Sequence, residues 1–210
     1  MTVSSRVQLL TLRGRRTQAA IDAAARAVIA RKGFLATTVS EIAAEAGKST
    51  ASFYNYYDSK ESMARVWARQ FIADANQRAR EASKPGLTNW ERSYEAAAAY
   101  WNTYRSRLAE IISVSQLAMV NQDFAHYWNE ICSLPLAMIT KAVRGAQRDG
   151  FCEGDDPQLT ALTLLSMLDR FCYHQFFGDG RASVADDASC ITTLAKVFHR
   201  TLYYKEAGPA

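Results

Sequence analysis

The 210-residue sequence predicts an all-α protein, in which an N-terminal three-helix domain containing a helix-turn-helix is followed by a larger helical domain. Three observations predict it. Apolar residues make up 49% of the chain, enough for a sizeable core and unlike the low-hydrophobicity, high-charge composition of disordered chains. Only 4 prolines and 10 glycines interrupt it, while Ala, Leu, Arg and Glu, which lose little freedom in a helix, are plentiful. Apolar positions recur with a helical period almost throughout, and no stretch alternates with a period of two.

The first helix is predicted over Arg16 to Lys32, with Ile21, Ala24, Ala25 and Val28 as its apolar stripe. Arg31 and Lys32 sit at its C-terminal end, where the helix dipole favours cations, and Gly33 ends it. A short second helix starts after Thr38, which forms a capping box with Glu41. Val39, Ile42, Ala43 and Ala46 make one buried face, and Gly47 stops the helix. Ser49 caps a third helix that carries Ala51, Phe53 and Tyr54 and ends near Tyr57. Asp58 and Glu61 offer a capping pair for a longer fourth helix to about Ala82, and Lys84-Pro85-Gly86 is the clearest break in the chain. Further helices are predicted over 87–105, 107–121, 123–149, 156–177 and 184–204. The breaks between them are Asn121-Gln122, Gly150 to Pro157, and Gly178-Asp179-Gly180. Pro135 should kink or split the third of these segments.

Charge is unevenly placed. Residues 1–60 hold nine Lys/Arg against four Asp/Glu, whereas residues 61–210 hold 16 against 17, so the basic excess lies in the first quarter. A polyanion contact or a merely solvated basic face both account for it. No apolar run approaches the roughly 20 residues that span a bilayer, and Met1 to Arg16 lacks the apolar segment of a secretory signal. The expected location is therefore cytoplasmic, with no membrane partner. Cys132, Cys152, Cys172 and Cys190 contain no Cys-x-x-Cys pair and read as buried reduced thiols.

Signals for an enzyme are missing: there is no Gly-rich phosphate loop and no nucleophile elbow. His126, His174 and His199 are widely separated; Asp123 and His126 share a helix face, but two ligands make a weak metal site. No cofactor or metal is expected.

Residues 38–57 carry the strongest functional signal. Two short helices joined by a tight glycine turn form a helix-turn-helix, whose second helix enters the major groove of double-stranded DNA. Ser49, Thr50, Ser52 and Asn55 can hydrogen-bond base edges or phosphates, and the hydroxyls of Tyr54 and Tyr56 can reach phosphate oxygens. Phe53 suits the core. Over residues 16–63 the chain resembles the DNA-binding domain of the TetR (tetracycline repressor) family. The matching features include Gly33-Phe34, Thr37-Thr38-Val39, Ile42-Ala43, Ala46-Gly47, Ser49, the aromatic run Phe53 to Tyr57, and Ser59-Lys60-Glu61.

That resemblance implies a homodimer with one recognition helix per subunit, usually a repressor released from a near-palindromic operator by a small effector. Carried over by position, Thr38 binds phosphate, Lys48, Ser49, Thr50, Ala51 and Ser52 face the groove, and Tyr54 and Tyr56 pin the backbone. Asn55 lies beside them, and Lys60 contacts phosphate. Thr50, Ala51 and Asn55 depart from the commonest family residues, which leaves the operator sequence open. Residues 1–60 are assigned to the DNA-binding domain, with a basic arm over 1–15, where Arg13 and Arg15 with the adjoining Arg16 reach the minor groove or remain a solvated tail. Residues 61–210 form the effector-binding and dimerisation domain.

In that second domain Trp101, Tyr104, Met119, Phe124 and Tyr127, with Trp128, Met138, Met167 and Phe171, form an aromatic and methionine-rich set. They read either as core or as an apolar cavity for a lipophilic or aromatic effector. Leu162 and Leu165 on one helix, and Ile191, Leu194, Phe198 and Leu202 on the last, form stripes suited to a dimer interface or to the subunit's own core. Asp169 and Arg170 interrupt the first stripe as candidate intersubunit ion pairs.

Overall fold

The computed structural model describes residues 12–81, 86–177 and 186–205, with the side chains of 75–81 left aside. The chain before Leu12, most of the Lys84-Pro85-Gly86 break, Gly178-Asp179-Gly180 and the predicted start of the last helix lie outside the described residues. Within them the chain forms α1 (Leu12–Lys32), α2 (Val39–Glu45), α3 (Thr50–Tyr54), α4 (Lys60–Glu81), α5 (Asn89–Ser106), α6 (Leu108–Ala118), α7 (Gln122–Arg148), α8 (Pro157–Phe176) and α9 (Asp187–Leu202).

Local chemistry sets most of the ends. The Thr38–Glu41 capping box opens α2, and Ser49 caps α3 by accepting from Ser52 N–H. Gly33 and Gly47 both adopt left-handed φ, +84° and +62°, which turns the chain after α1 and α2 at no Cβ cost. Three details differ from the sequence reading. Among the described residues α1 is already helical at Leu12, so Arg13, Arg15 and Arg16, expected as an arm or a solvated tail, lie within the helix, as suits good helix formers. Ser59 and Ser62 cap α4 reciprocally, each N–H reaching the other hydroxyl at 3.1 Å, in place of Asp58 and Glu61. α7 is one helix through Pro135, so the proline does not split it; packing on α6 and α8 offsets the roughly 3 kcal/mol that an interior proline costs.

Two cores hold the molecule. The larger lies among α5, α7, α8 and α9, with α9 laid along α5 and α8 along α7. The smaller joins Ile21, Phe34, Ile42, Phe53, Met63 and Trp67 of the first four helices and their turns to Ile112, Val114 and Leu117 of α6 and Phe124 of α7. Residues of α4 and α6 thus share a core with the first three helices.

Packing also corrects the interface reading. Ile191, Leu194, Phe198 and Leu202 are buried in the chain's own larger core, as is Leu165. They are apolar at helical spacing because α9 must cover α5, not because a partner covers them. Leu162 remains outward, 51% exposed, with Leu159 beside it and Val197 on α9 also exposed.

Candidate nucleic-acid interface and effector site

α3 is only five residues long, so tertiary contacts must hold it. Phe53 supplies them: it is fully buried and packs against Tyr57, ring centroids 5.5 Å apart. With Phe53 inward, Lys48, Ser49, Thr50, Ala51, Tyr54 and Asn55 are left exposed on one continuous surface, and Ser52 and Tyr56 are half-buried at its edge. Tyr54 meets Phe53 edge-on and is 55% exposed, so its hydroxyl reaches outward from a fixed ring. The Ser49 and Ser52 hydroxyls lie 3.0 Å apart and share a hydrogen bond.

Two predicted phosphate ligands have other work. Thr38 Oγ1 and N–H both donate to Glu41 Oε2 at 2.8 Å, and Lys32 Nζ lies 2.5 Å from Glu41 Oε1. Lys32 and the Thr38 donors together hold the Glu41 carboxyl down at about 2. Lys60 Nζ donates to the carbonyls of Thr37 (2.8 Å), Phe34 (3.1 Å) and Leu35 (3.4 Å), and stands over the Phe34 ring. Its ammonium group thus clamps the α1–α2 turn.

Behind this surface lie groups that the sequence does not announce. Tyr57 donates to Asp22 Oδ1 at 2.7 Å and accepts from Gln18 Nε2 at 3.1 Å, tying the end of α3 to α1. Burial raises the Tyr57 hydroxyl and the Asp22 carboxyl alike. Gln116 of α6 accepts from the N–H groups of Phe34 (2.7 Å) and Leu35 (3.2 Å). No sequence spacing relates residues some 80 positions apart; only the fold brings them together.

The nine predicted effector residues separate into groups. Trp101 and Tyr104 are buried among Phe171 and Phe176, with Trp101 4.4 Å from Phe176 and 6.1 Å from Phe171 between centroids. Met167 and Trp128 are half-buried against the same core. Phe124 and Tyr127 instead pack in the N-terminal core, with the Arg65 guanidinium over both rings. Met119, at the end of α6, is 83% exposed and Met138 is 52% exposed, so neither lines an interior site. Their sequence neighbourhood put them in the set, but α6 and the start of α7 belong to the junction with the N-terminal unit.

Polar groups border the Trp101 cluster. The Trp101 indole N–H is buried without a hydrogen-bond partner. Tyr100, half-buried and missed by the sequence reading, and Tyr104 have hydroxyls pushed up by burial first and by the Asp169 charge second. Burial raises Asp169 in turn. The Asp169 charge thus acts on the tyrosines of this cluster. Cys132 and Cys172, raised to about 11 and about 12 by burial and the same carboxylate, complete the surroundings. None of the four cysteines forms a disulfide. No described helix is long and apolar enough to cross a membrane.

Comparison with known proteins agrees with this geometry. Residues 21–66, from α1 into α4, match the family of bacterial regulatory proteins described as the tetR family. The HTH-type transcriptional repressor KstR2 of Rhodococcus jostii (strain RHA1) is 33% identical over 128 residues; the match covers 55% of this chain and 62% of that protein. The chain thus spans less than two thirds of that relative's length. Among solved structures, FadR of Bacillus subtilis in complex with stearoyl-CoA gives a TM-score of 0.63 at 21% identity, covering 90% of this chain and 100% of that one. AibR in complex with isovaleryl coenzyme A and operator DNA gives 0.65 at 16% identity, covering 90% and 98%. These likenesses extend the fold across both cores. The helix-turn-helix and its caps thus lie within the stretch, residues 21–66, that is similar to the tetR family of bacterial regulatory proteins.

Proposed function

We propose that the protein is a dimeric DNA-binding transcriptional regulator, a repressor that leaves its operator when a mainly apolar effector binds the larger domain. One observation carries the DNA-binding part: α3 buries Phe53 and turns Lys48, Ser49, Thr50, Tyr54 and Asn55 to solvent. Hydroxyl, amide and ammonium groups on one side of a short, rigidly seated helix are what a major groove and its flanking phosphates require. Lys48, Tyr54 and Tyr56 take phosphates in this reading, and Thr50, Ser52 and Asn55 face base edges. The Thr38 N–H and hydroxyl reach phosphate only if Glu41 turns aside.

The effector reading rests on the Trp101, Tyr104 and Phe171 cluster with its unpartnered indole N–H. Two proteins of the same fold are solved with acyl-CoA ligands, stearoyl-CoA and isovaleryl coenzyme A. An acyl thioester, with an apolar tail and an acceptor carbonyl, suits such a cluster. Leu159 and Leu162, exposed and three residues apart on α8, supply apolar side chains for a second copy.

Selection from random duplexes tests the first part. It should return a near-palindrome with half-site centres about 34 Å apart, bound with an affinity that falls steeply with salt. Failure to bind any duplex in a salt-sensitive way would end this reading. Acyl-CoAs of increasing chain length, titrated into the complex, test the second. Release must depend on chain length, because an effector that binds both conformers equally shifts nothing.

A further inference from the structure

A chain of polar contacts crosses the junction between the N-terminal unit and the rest of the molecule. It starts at Tyr57, just past α3, which is bonded to Asp22 of α1. One turn along α1, Arg26 lies over the Trp67 ring of α4, 4.6 Å from its centroid, and its Nε is 3.0 Å from Glu110 Oε1 of α6. Arg107, at the joint between α5 and α6, places Nη1 3.4 Å from that same oxygen and Nη2 2.5 Å from Asp74 Oδ2 of α4. The Arg107 N–H meanwhile bonds the carbonyls of Thr103 and Tyr104, so the joint is continuous with the aromatic cluster.

Glu110 is the centre of this chain. Its side chain is 2% exposed, both arginines share Oε1, and Oε2 is buried with no hydrogen-bond partner. A buried carboxylate with one oxygen left unsatisfied is a poor source of stability, since desolvation offsets much of the attraction. Its better-attested use is to specify one arrangement among several. Gln116 supplies a second polar attachment, to Phe34 and Leu35 just beyond the C-terminal end of α1. Arg26 lies within α1 and Phe34 just past its end, so the two attachments fix a direction where one would leave a pivot.

We propose that Glu110 is a positioning residue for DNA binding. It holds α1, and through Tyr57 the recognition helix, at a set angle to the α5–α6 joint, and so sets the separation of the two recognition helices in a dimer. This rests on the DNA-binding reading above. It assigns to a residue outside the helix-turn-helix no contact with DNA, but control of which half-site spacing is accepted.

Three duplexes test it: the palindrome recovered by selection, the same palindrome with its half-sites moved two base pairs apart, and a single half-site. Glu110→Gln keeps the shape and removes the charge. It should bind the half-site within about twofold of wild type, lose about tenfold on the palindrome, and discriminate less against the altered spacing, because bivalent binding depends on matched geometry. The double variant Arg26→Met, Glu110→Leu refills the site with apolar groups. It should melt at or above the wild-type temperature and still accept the altered spacing. A purely structural role would lower half-site and palindrome binding together and be repaired by the double variant. That pattern, or wild-type spacing preference in both variants, would overturn the proposal. Wild-type protein that bound no duplex would overturn the DNA-binding reading and this proposal with it.

Discussion

The α2–α3 segment and the cluster around Trp101 treat polar groups in opposite ways. In the first, hydroxyls and carboxylates stand at the surface as caps: Thr38 and Glu41 satisfy each other and Lys32, and the Glu41 carboxyl is held low. In the second, Tyr100, Tyr104, Asp169, Cys132 and Cys172 are drawn inward, and burial raises every one of them. The N-terminal segment is built to hold a fixed shape and display its polar groups. The larger domain keeps polar groups where water is scarce, which is costly unless something arrives to use them.

The sharpest way to break this contrast is within α3 itself. Phe53→Ala removes the one side chain that seats the helix, and should destabilise the protein by about 3–5 kcal/mol in urea unfolding. Tyr54→Phe, one residue on, should stay within about 0.5 kcal/mol, as exposed positions do, while weakening binding to every DNA sequence. Equal stability losses would mean that α3 has no inside and outside, and the display surface would be lost with it.

The second test is chemical. With Cys132 and Cys172 at about 11 and about 12, almost no thiolate is present at pH 8. Their alkylation in the folded protein should be at least about a hundredfold slower than that of an ordinary cysteine of pKa near 8.5. Mass spectrometry after timed iodoacetamide exposure would read it. Rapid labelling of either residue would show the cluster to be open to water.

Residues close in sequence were legible; residues close only in space were not. The Thr38–Glu41 box, the Ser49 cap and the glycine turns follow from spacings of a few positions, and Phe53 as core follows from its place among outward polar residues. The joint role of Lys60 was not legible, because its carbonyl partners lie some 25 positions away. Glu110 reads as an ordinary polar residue until α6 packs against α1. The apolar stripe of α9 shows the same limit from the other side. Periodicity establishes that Ile191, Leu194, Phe198 and Leu202 share a face, but not whether α5 or a second copy covers it. Met119 and Phe124 were grouped with Trp101 by composition alone, and the fold separates them.

Gly33 lies where the α1–α2 turn meets α6, and its replacement should have a smaller effect than that of Phe53. Its φ of +84° is unfavourable for any L side chain, and an added Cβ would fall 2.7 Å from the Gln116 amide nitrogen. Gly33→Ala should cost about 1–2 kcal/mol from the backbone alone. Gly47, at +62° with open space around it, carries only the backbone cost. If alanine at 33 and at 47 cost the same, the Gln116 contact contributes little to joining α6 to the α1–α2 turn.

The smallest effect concerns Asp22, where a polar group in the N-terminal unit behaves like those of the larger domain. Burial raises its carboxyl above 3.8, outweighing the hydrogen bond from Tyr57 and the nearby Arg26 charge. A carboxyl whose folded value is the higher one binds its proton more tightly when folded. Ionisation therefore opposes folding: the contribution is absent well below 3.8 and grows as pH rises from there through the folded value. Asp22→Asn keeps an acceptor for Tyr57 and removes the titration. Its stability relative to wild type should improve as pH rises from about 3.5 to about 6, because the wild-type carboxyl must ionise against burial while the amide does not. A variant that instead lost ground as pH rose would mean that the Arg26 attraction outweighs burial, and that Asp22 belongs with Glu41 among the carboxylates held low.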